Sequence, residues 1–447
     1  MAMRRMEIEF TRDGLPFRQS EVDGLVNGLG GVTDLLVVAH GWNNDIADAR
    51  KLYNELLGNI DKLLDARAES GAPTMLSKLT DRTYAVCQVF WPSKKFTDEE
   101  LIPGGGAASA TTANTKSLQR VLKALKQDPK RLGGKDAPLA RAKQLDRALA
   151  AVPRLAKDAK ARRIFVEAIR AALKPLASKE IDDGSAEFFK IDPEKLFKSL
   201  SEPVVAPVAR APGGATAVGR GDAGGAAGLK DLADGVIGAA RRIANFATYY
   251  QMKERAGRVG SNGLAAVLRT CRKKAPHVRL HLVGHSFGGR LVTAAADGLP
   301  ANTPAVTVTL LQAAFSHNAL SGDFGKGKAG FYRKVLSDRR VSGPIVITHT
   351  KNDNAVGIAY PLASRIAQQV AAALGDENDP YGGMGRNGAQ HTAEAAGHAV
   401  TLGPVGEEYS FAPGSVYNLR ADQFISGHSD VRNGSVAYAV LSCTAAI

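Results

Sequence analysis

Five short apolar runs rich in β-branched residues constrain this chain more than any other feature: 35–39 (LLVVA), 84–90 (YAVCQVF), 278–283 (VRLHLV), 305–311 (AVTVTLL) and 344–349 (PIVITH). A strand that is apolar at successive positions has both faces covered, whereas a strand with one wet face alternates. Between the runs the apolar spacing changes to that of a helix. In residues 46–68, Leu52, Leu56, Ile60, Leu63 and Leu64 share one helical face. Strand and helix alternating in this way predict an α/β fold, a mostly parallel sheet with helices on both faces. Further helices are expected at about 245–274, 289–298 and 358–374. A last strand at 416–419 precedes a final helix at 435–444, and 7–10 is the one clear candidate for a first strand.

The alternation stops at 94 and resumes only after 240, which divides the chain into a core (1–93 and 241–447) and a long insertion (94–240). The insertion has helical periodicity, with Leu118, Val121, Leu122 and Leu125 in one stretch and Ile164, Phe165, Ala168, Ile169, Ala172, Leu173 and Leu176 in another. It is also basic. Residues 101–242 hold 26 Lys and Arg against 15 Asp and Glu, so +11 of the chain's net +14 lies there. Residues 211–228 (APGGATAVGRGDAGGAAG) hold seven glycines and six alanines among 18, too small to bury much, and are expected to form a mobile linker. The amphipathic helices need an apolar surface to cover, and the mouth of an acyl pocket would provide one, so the insertion is expected to be a lid that governs access. A second long loop, 375–414, is rich in Gly, Asn and Glu.

Composition excludes several classes. With 44% apolar residues the 447-residue chain can build a large core, so general disorder is excluded. Cys87, Cys271 and Cys443 are too few, and odd in number, for a disulfide framework, and read as reduced and intracellular. No uninterrupted apolar stretch approaches a membrane span, and the N-terminus lacks the apolar run of a Sec-type signal. A cytoplasmic protein is the expectation. No Cys/His set has zinc spacing and no phosphate or dinucleotide loop is present, so no metal is expected. The basic insertion permits an anionic membrane surface as partner. Its few aromatics argue against nucleic acid.

Gly284-His285-Ser286-Phe287-Gly288 fits G-x-S-x-G, and it stands directly between an apolar strand and a helix, the setting of a nucleophile elbow. The turn is too tight for flanking side chains, hence the glycines on either side. It leaves the serine hydroxyl at a helix N-terminus, where developing negative charge is favoured. A serine needs a base, and in enzymes built round such an elbow the acid and then the histidine follow the nucleophile in the chain. That sets aside His40, His277, His281 and His285, while His349 lies inside a strand and reads as a core residue. His428, in Ser426-Gly427-His428-Ser429-Asp430, occupies the loop between the last strand and the last helix, and is preferred over the loop histidines His391, His398 and His317. Asp353, just past the strand 344–349, is the candidate acid, with Asp323 in reserve. Asp430 is too close to His428 in sequence to face its ring. A tetrahedral oxyanion needs donors. One is the Phe287 N–H and the other the Trp42 N–H, in a loop where Gly41 lets the backbone approach. His40, Gly41, Trp91 and Tyr249 are candidates to line the substrate site.

Together, LLVVAHGW, VGHSFGG, ITHTKND and SGHSD, in this order, resemble the α/β-hydrolase superfamily, specifically its lipase- and esterase-like serine hydrolases. The resemblance covers about residues 30–93 and 245–447. It implies an eight-stranded, mostly parallel sheet, no cofactor, and an acyl-enzyme mechanism with Ser286 as nucleophile, His428 as base and Asp353 as acid. The single glycine followed by Trp42 departs from the HGGG loop of short-chain esterases and looks like the pattern of lipases that take longer acyl groups. The expected substrate is a carboxylic ester, lipid-like by preference. A thioesterase or amidase would use the same residues, and a membrane-binding scaffold on a hydrolase core is the reading from another class.

Overall fold

Residues 35–39 carry apolar side chains at successive positions, and the sheet buries all of them. In the computed structural model, which describes residues 3–41, 46–93, 115–127, 139–173, 180, 182, 185–201, 226–325, 327–353, 356, 377 and 379–447, this run is the second of eight strands. They are β1 (Arg4–Glu9), β2 (Asp34–Ala39), β3 (Tyr84–Phe90), β4 (Arg279–His285), β5 (Thr307–Leu311), β6 (Ile345–His349), β7 (Ala399–Thr401) and β8 (Val416–Arg420). They form one sheet in the order β1-β3-β2-β4-β5-β6-β8-β7, and every neighbouring pair is parallel. The α/β architecture expected from the sequence is present.

Successive side chains of a strand point to opposite faces. Leu35, Val37 and Ala39 join one core with Met252, Val259, Leu268 and Leu291, while Leu36 and Val38 join another with Tyr53, Leu56, Ile60, Val436 and Val440. Helices Gln19–Asn27, Ala265–Lys274 and Phe287–Asp297 thus lie on one face, and Ile46–Ala66 and Gly434–Ala445 on the other. The first strand starts three residues before the expected 7–10, and β7, only three residues long at the sheet's edge, was not anticipated. The expected helix at 358–374 lies outside the described residues. Cys87, Cys271 and Cys443 are buried and unpaired. No helix among the described residues is long and apolar enough to cross a membrane.

The insertion's helices Thr115–Gln127, Leu139–Ala151, Ala159–Leu173 and Pro193–Ser201 turn their apolar faces towards one another. Leu122, Leu145, Phe165 and Leu200 meet in a third core that also holds Phe188, Ile243 and Phe246. These faces were expected to cover a pocket mouth; their apolar residues close instead on a core of their own. The helix expected to start near 245 begins at Ala226 and runs to Arg258, so the last residues of the expected linker 211–228 are helical; residues 202–225 lie outside the described residues. This one helix serves both regions. Ile237, Ile243 and Phe246 belong to the insertion's core, and Met252 and Ala256 to the sheet's. A wider π turn, Val259–Leu264, then leads into Ala265–Lys274.

Candidate active site

The chain runs outward from β2 to β3, then returns to place β4 on the other side of β2. In a parallel sheet the crevice beyond the carboxyl ends of such strands is where ligands bind. There β2 ends in Ala39-His40-Gly41 and β4 in His285-Ser286. Ser286 has φ 56° and ψ −124°, a left-handed backbone that costs a non-glycine residue about 1–3 kcal/mol and is held by its surroundings. Its N–H donates to Leu311 O (3.0 Å), and its carbonyl accepts from Gly289 and Ala314 (3.0 and 3.1 Å). The glycines are obligatory. A Cβ on Gly288 would stand 2.1 Å from Ala39 O, and one on Gly284 2.4 Å from Gly288 O. Gly41 lies against the serine itself, since a Cβ there would meet Ser286 Cβ at 2.6 Å.

The Ser286 hydroxyl lies 2.8 Å from His428 Nε2, and His428 Nδ1 lies 2.8 Å from Asp353 Oδ2. A carboxylate can only accept, so Nδ1 carries the proton and Nε2 is left to accept from the serine. Asp353 is fully buried, and its carboxylate also receives the Val356 N–H (2.9 Å) and the Gln312 amide (3.1 Å). The loops that bear acid and histidine are stapled together. Asn352 donates to Asp422 O and Ile425 O (3.0 and 2.9 Å), and Thr350 donates to Asp422 (2.7 Å). Asp430 accepts from the N–H and hydroxyl of Ser426 (3.0 and 2.7 Å), so it shapes the histidine's loop rather than facing its ring.

Phe287 opens the helix Phe287–Asp297 as expected, and its ring packs on Tyr249 at 5.1 Å. Tyr249 in turn stacks on Phe246, so an aromatic column runs from the elbow into the insertion. Trp42, the second expected donor, lies outside the described residues. His40 and Trp91 are buried against each other, with rings stacked 5.7 Å apart and nearly parallel. The Trp91 N–H reaches His40 Nε2 (3.3 Å) and its indole donates to His40 O (2.9 Å). Burial lowers the His40 pKa to about 4, so this ring is neutral. Both residues back the Gly41 turn, with their polar atoms turned to one another.

The alternatives are placed elsewhere. Asp323 caps its own exposed loop by accepting from Gly325, Gly327 and Lys328. His391 bonds Asn318 (2.9 Å), His317 bonds Asn387 (3.2 Å) and His398 packs on Tyr417. Three residues escaped the sequence reading. Gln312, at φ 46°, holds Asp353 while also donating to Gly385 O (2.8 Å) and accepting from Thr348 (3.0 Å). Arg290, one turn past Ser286, meets Glu180 of the insertion in a buried ion pair that Lys253 joins. Burial would raise the Glu180 pKa, but the two cations carry it down to about 2. Nothing marks Glu180 in sequence, and a polar residue after β5 was the only signal for Gln312. Among the described residues, no group of three or more His, Cys, Asp or Glu could hold a metal ion. No protein-family model matches the chain, and neither do curated proteins or solved structures.

Proposed function

We propose that this chain is a serine hydrolase of the α/β-hydrolase superfamily that cleaves carboxylic esters through an acyl-enzyme on Ser286, with lipid-like acyl esters favoured. The observation that carries the reading is the unbroken line Ser286–His428–Asp353, two contacts of 2.8 Å, with its serine held at positive φ on the carboxyl edge of the sheet. Ser286 Oγ attacks the ester carbonyl carbon as its proton passes to His428 Nε2. The imidazolium so formed is stabilised by Asp353, whose carboxylate stays ionised. The tetrahedral oxyanion is received by the Phe287 and Trp42 amides. Collapse expels the alkoxide, which takes the proton from Nε2 and leaves as the alcohol. Water then attacks the acyl-enzyme, giving its proton to the same nitrogen, and Ser286 departs with it as the carboxylic acid is released.

The aromatic column Phe287–Tyr249–Phe246 gives the elbow an apolar neighbour suited to an acyl chain. Lys116, Arg120 and Lys123 are exposed on one face of Thr115–Gln127, and that face is the part of the insertion we propose for an anionic lipid surface. A fluorophosphonate probe tests the central claim. The protein should be labelled at Ser286 and the Ser286→Ala variant should not. Labelling that persists in the variant removes Ser286 from the mechanism.

A further inference from the structure

His285 precedes the serine and is passed over when histidines are sorted by chain order. Its ring is nonetheless in direct contact with the loop of the base. His285 Nε2 lies 2.8 Å from the backbone carbonyl of His428, and the two rings are 5.0 Å apart. A carbonyl oxygen only accepts, so Nε2 carries the proton and donates. The other nitrogen cannot carry one as well. Nδ1 is buried, no described residue stands where it could accept a proton from it, and it faces the Gly41 backbone so closely that a Cβ there would stand 3.1 Å away. The ring is thereby locked in one neutral tautomer, with its one proton aimed at His428 O.

We infer that His285 is the positioning residue for the base: its Nε2–H holds the main chain of His428 so that Nε2 of His428 stays in line with Ser286. This rests on the hydrolase reading above. The need is physical. His428 stands in an irregular loop, eight residues past the end of β8, and its ring is 19% exposed. The Asp353 bond fixes only the far side of the ring, and a ring tethered at one atom can still swing. A second bond to its own carbonyl fixes the backbone from which the ring hangs. His285 is well suited to this because β4 and the elbow, both rigid, carry it. It must also stay uncharged beside the imidazolium that forms on His428. Burial and the nearby charge of His428 push the His285 pKa down to about 3, against smaller opposing pulls from its bond to the His428 carbonyl and from Asp353.

The test compares two amides of different reach. In His285→Gln the Nε2 amide can extend to where the imidazole Nε2 stood, and in His285→Asn it falls short, while both keep a polar side chain at the site. His285→Asn should lose about 10²-fold in kcat on a small aryl ester with KM little changed, the penalty of a base displaced by about 1 Å. His285→Gln should recover most of that loss. The far-downfield proton resonance of His428 Nδ1–H on Asp353 should broaden in the asparagine variant and return in the glutamine one. Equal kcat in all three proteins, or equal damage in both variants, overturns the inference. Should the unsubstituted protein resist fluorophosphonate and turn over no ester, the hydrolase reading fails. The resonance still reports on His285 in that case, and a signal that is the same in all three proteins overturns the positioning role by itself.

Discussion

Two Asp–His–hydroxyl relays run through this sheet, one at each edge. At the carboxyl edge Asp353, His428 and Ser286 are linked by contacts of 2.8 Å. At the amino edge Asp34 meets His281 Nε2 at 2.9 Å, and His281 Nδ1 meets the Thr307 hydroxyl at 2.9 Å. The hydrogen-bond pattern is the same with the imidazole reversed, so the relay alone does not make a nucleophile. Thr307 is buried in regular strand, at the edge away from the helix N-termini. Ser286 sits at positive φ on a helix N-terminus, with Gly41 clearing its approach. Asp34 is further occupied by Arg279 through two contacts of 2.8 Å and by Arg82 at 3.3 Å. Burial raises its pKa, but the bonds from Arg279 and His281 carry it below the ordinary carboxylate range. One relay is a structural tie between strands, and the other is the one we propose to react.

The comparison breaks most sharply at the hydroxyls. Ser286→Ala or His428→Ala should lower kcat about 10⁶-fold, because members of a triad act as a unit. Thr307→Val should leave the rate where it was. A rate that falls in the threonine variant as far as in Ser286→Ala would erase the distinction. The acids come next. Asp353→Asn should cost about 10⁴-fold in kcat by allowing the wrong tautomer of His428. Asp34→Asn should leave kcat intact and cost about 3–5 kcal/mol of stability in urea unfolding, since it removes the fully buried charge that Arg279, Arg82 and His281 share. An Asp34→Asn protein of undiminished stability would mean that the amino-edge relay ties nothing.

The insertion sharpens the point, because it too is held by buried charge. Glu180 is the carboxylate that meets both Arg290 and Lys253, and Asp182 beside it accepts from the Phe331 N–H while its carbonyl accepts from Ser316. Glu180→Gln should destabilise the protein by about 3–5 kcal/mol. Replacing 101–230 by a short linker removes the same carboxylate and should do at least as much harm, whereas a detachable lid would be lost without effect. The smallest effect is one of pH. The Glu180 pKa is lowered in the folded state, so its contribution is complete above the unfolded glutamate's pKa of about 4.3 and is lost as pH falls from there towards 2. Urea unfolding between pH 5 and 2 should therefore lose stability less steeply in Glu180→Gln than in the parent. Parallel curves would show that Glu180 does not titrate with folding.

The legibility of the site followed the range of the interactions. The elbow was readable because its demands are local: a strand, two glycines that cannot carry a Cβ, and a helix, all within a few residues of Ser286. His428 and Asp353 were readable as residues of the right type just beyond a strand end. Gln312 was not, since its role depends on Asp353, 41 residues away, and on Gly385, 73 away. His285 was in view inside the motif, but chain order set it aside, and only the fold of the 420–433 loop onto β4 shows what its ring holds.

By itself the sequence determined the parallel sheet and the place of the serine, for a physical reason: burial on both faces writes apolar residues at successive positions, and a tight turn admits only glycine at its flanks. Tertiary structure alone decided which aspartate meets which histidine, and which of two similar relays ends at the elbow on the carboxyl edge. It also decided that the amphipathic faces of the insertion close on each other. Periodicity reports that a face is buried and says nothing of what buries it. A carboxylate's partner is likewise set by where the chain returns, over distances that no local pattern records.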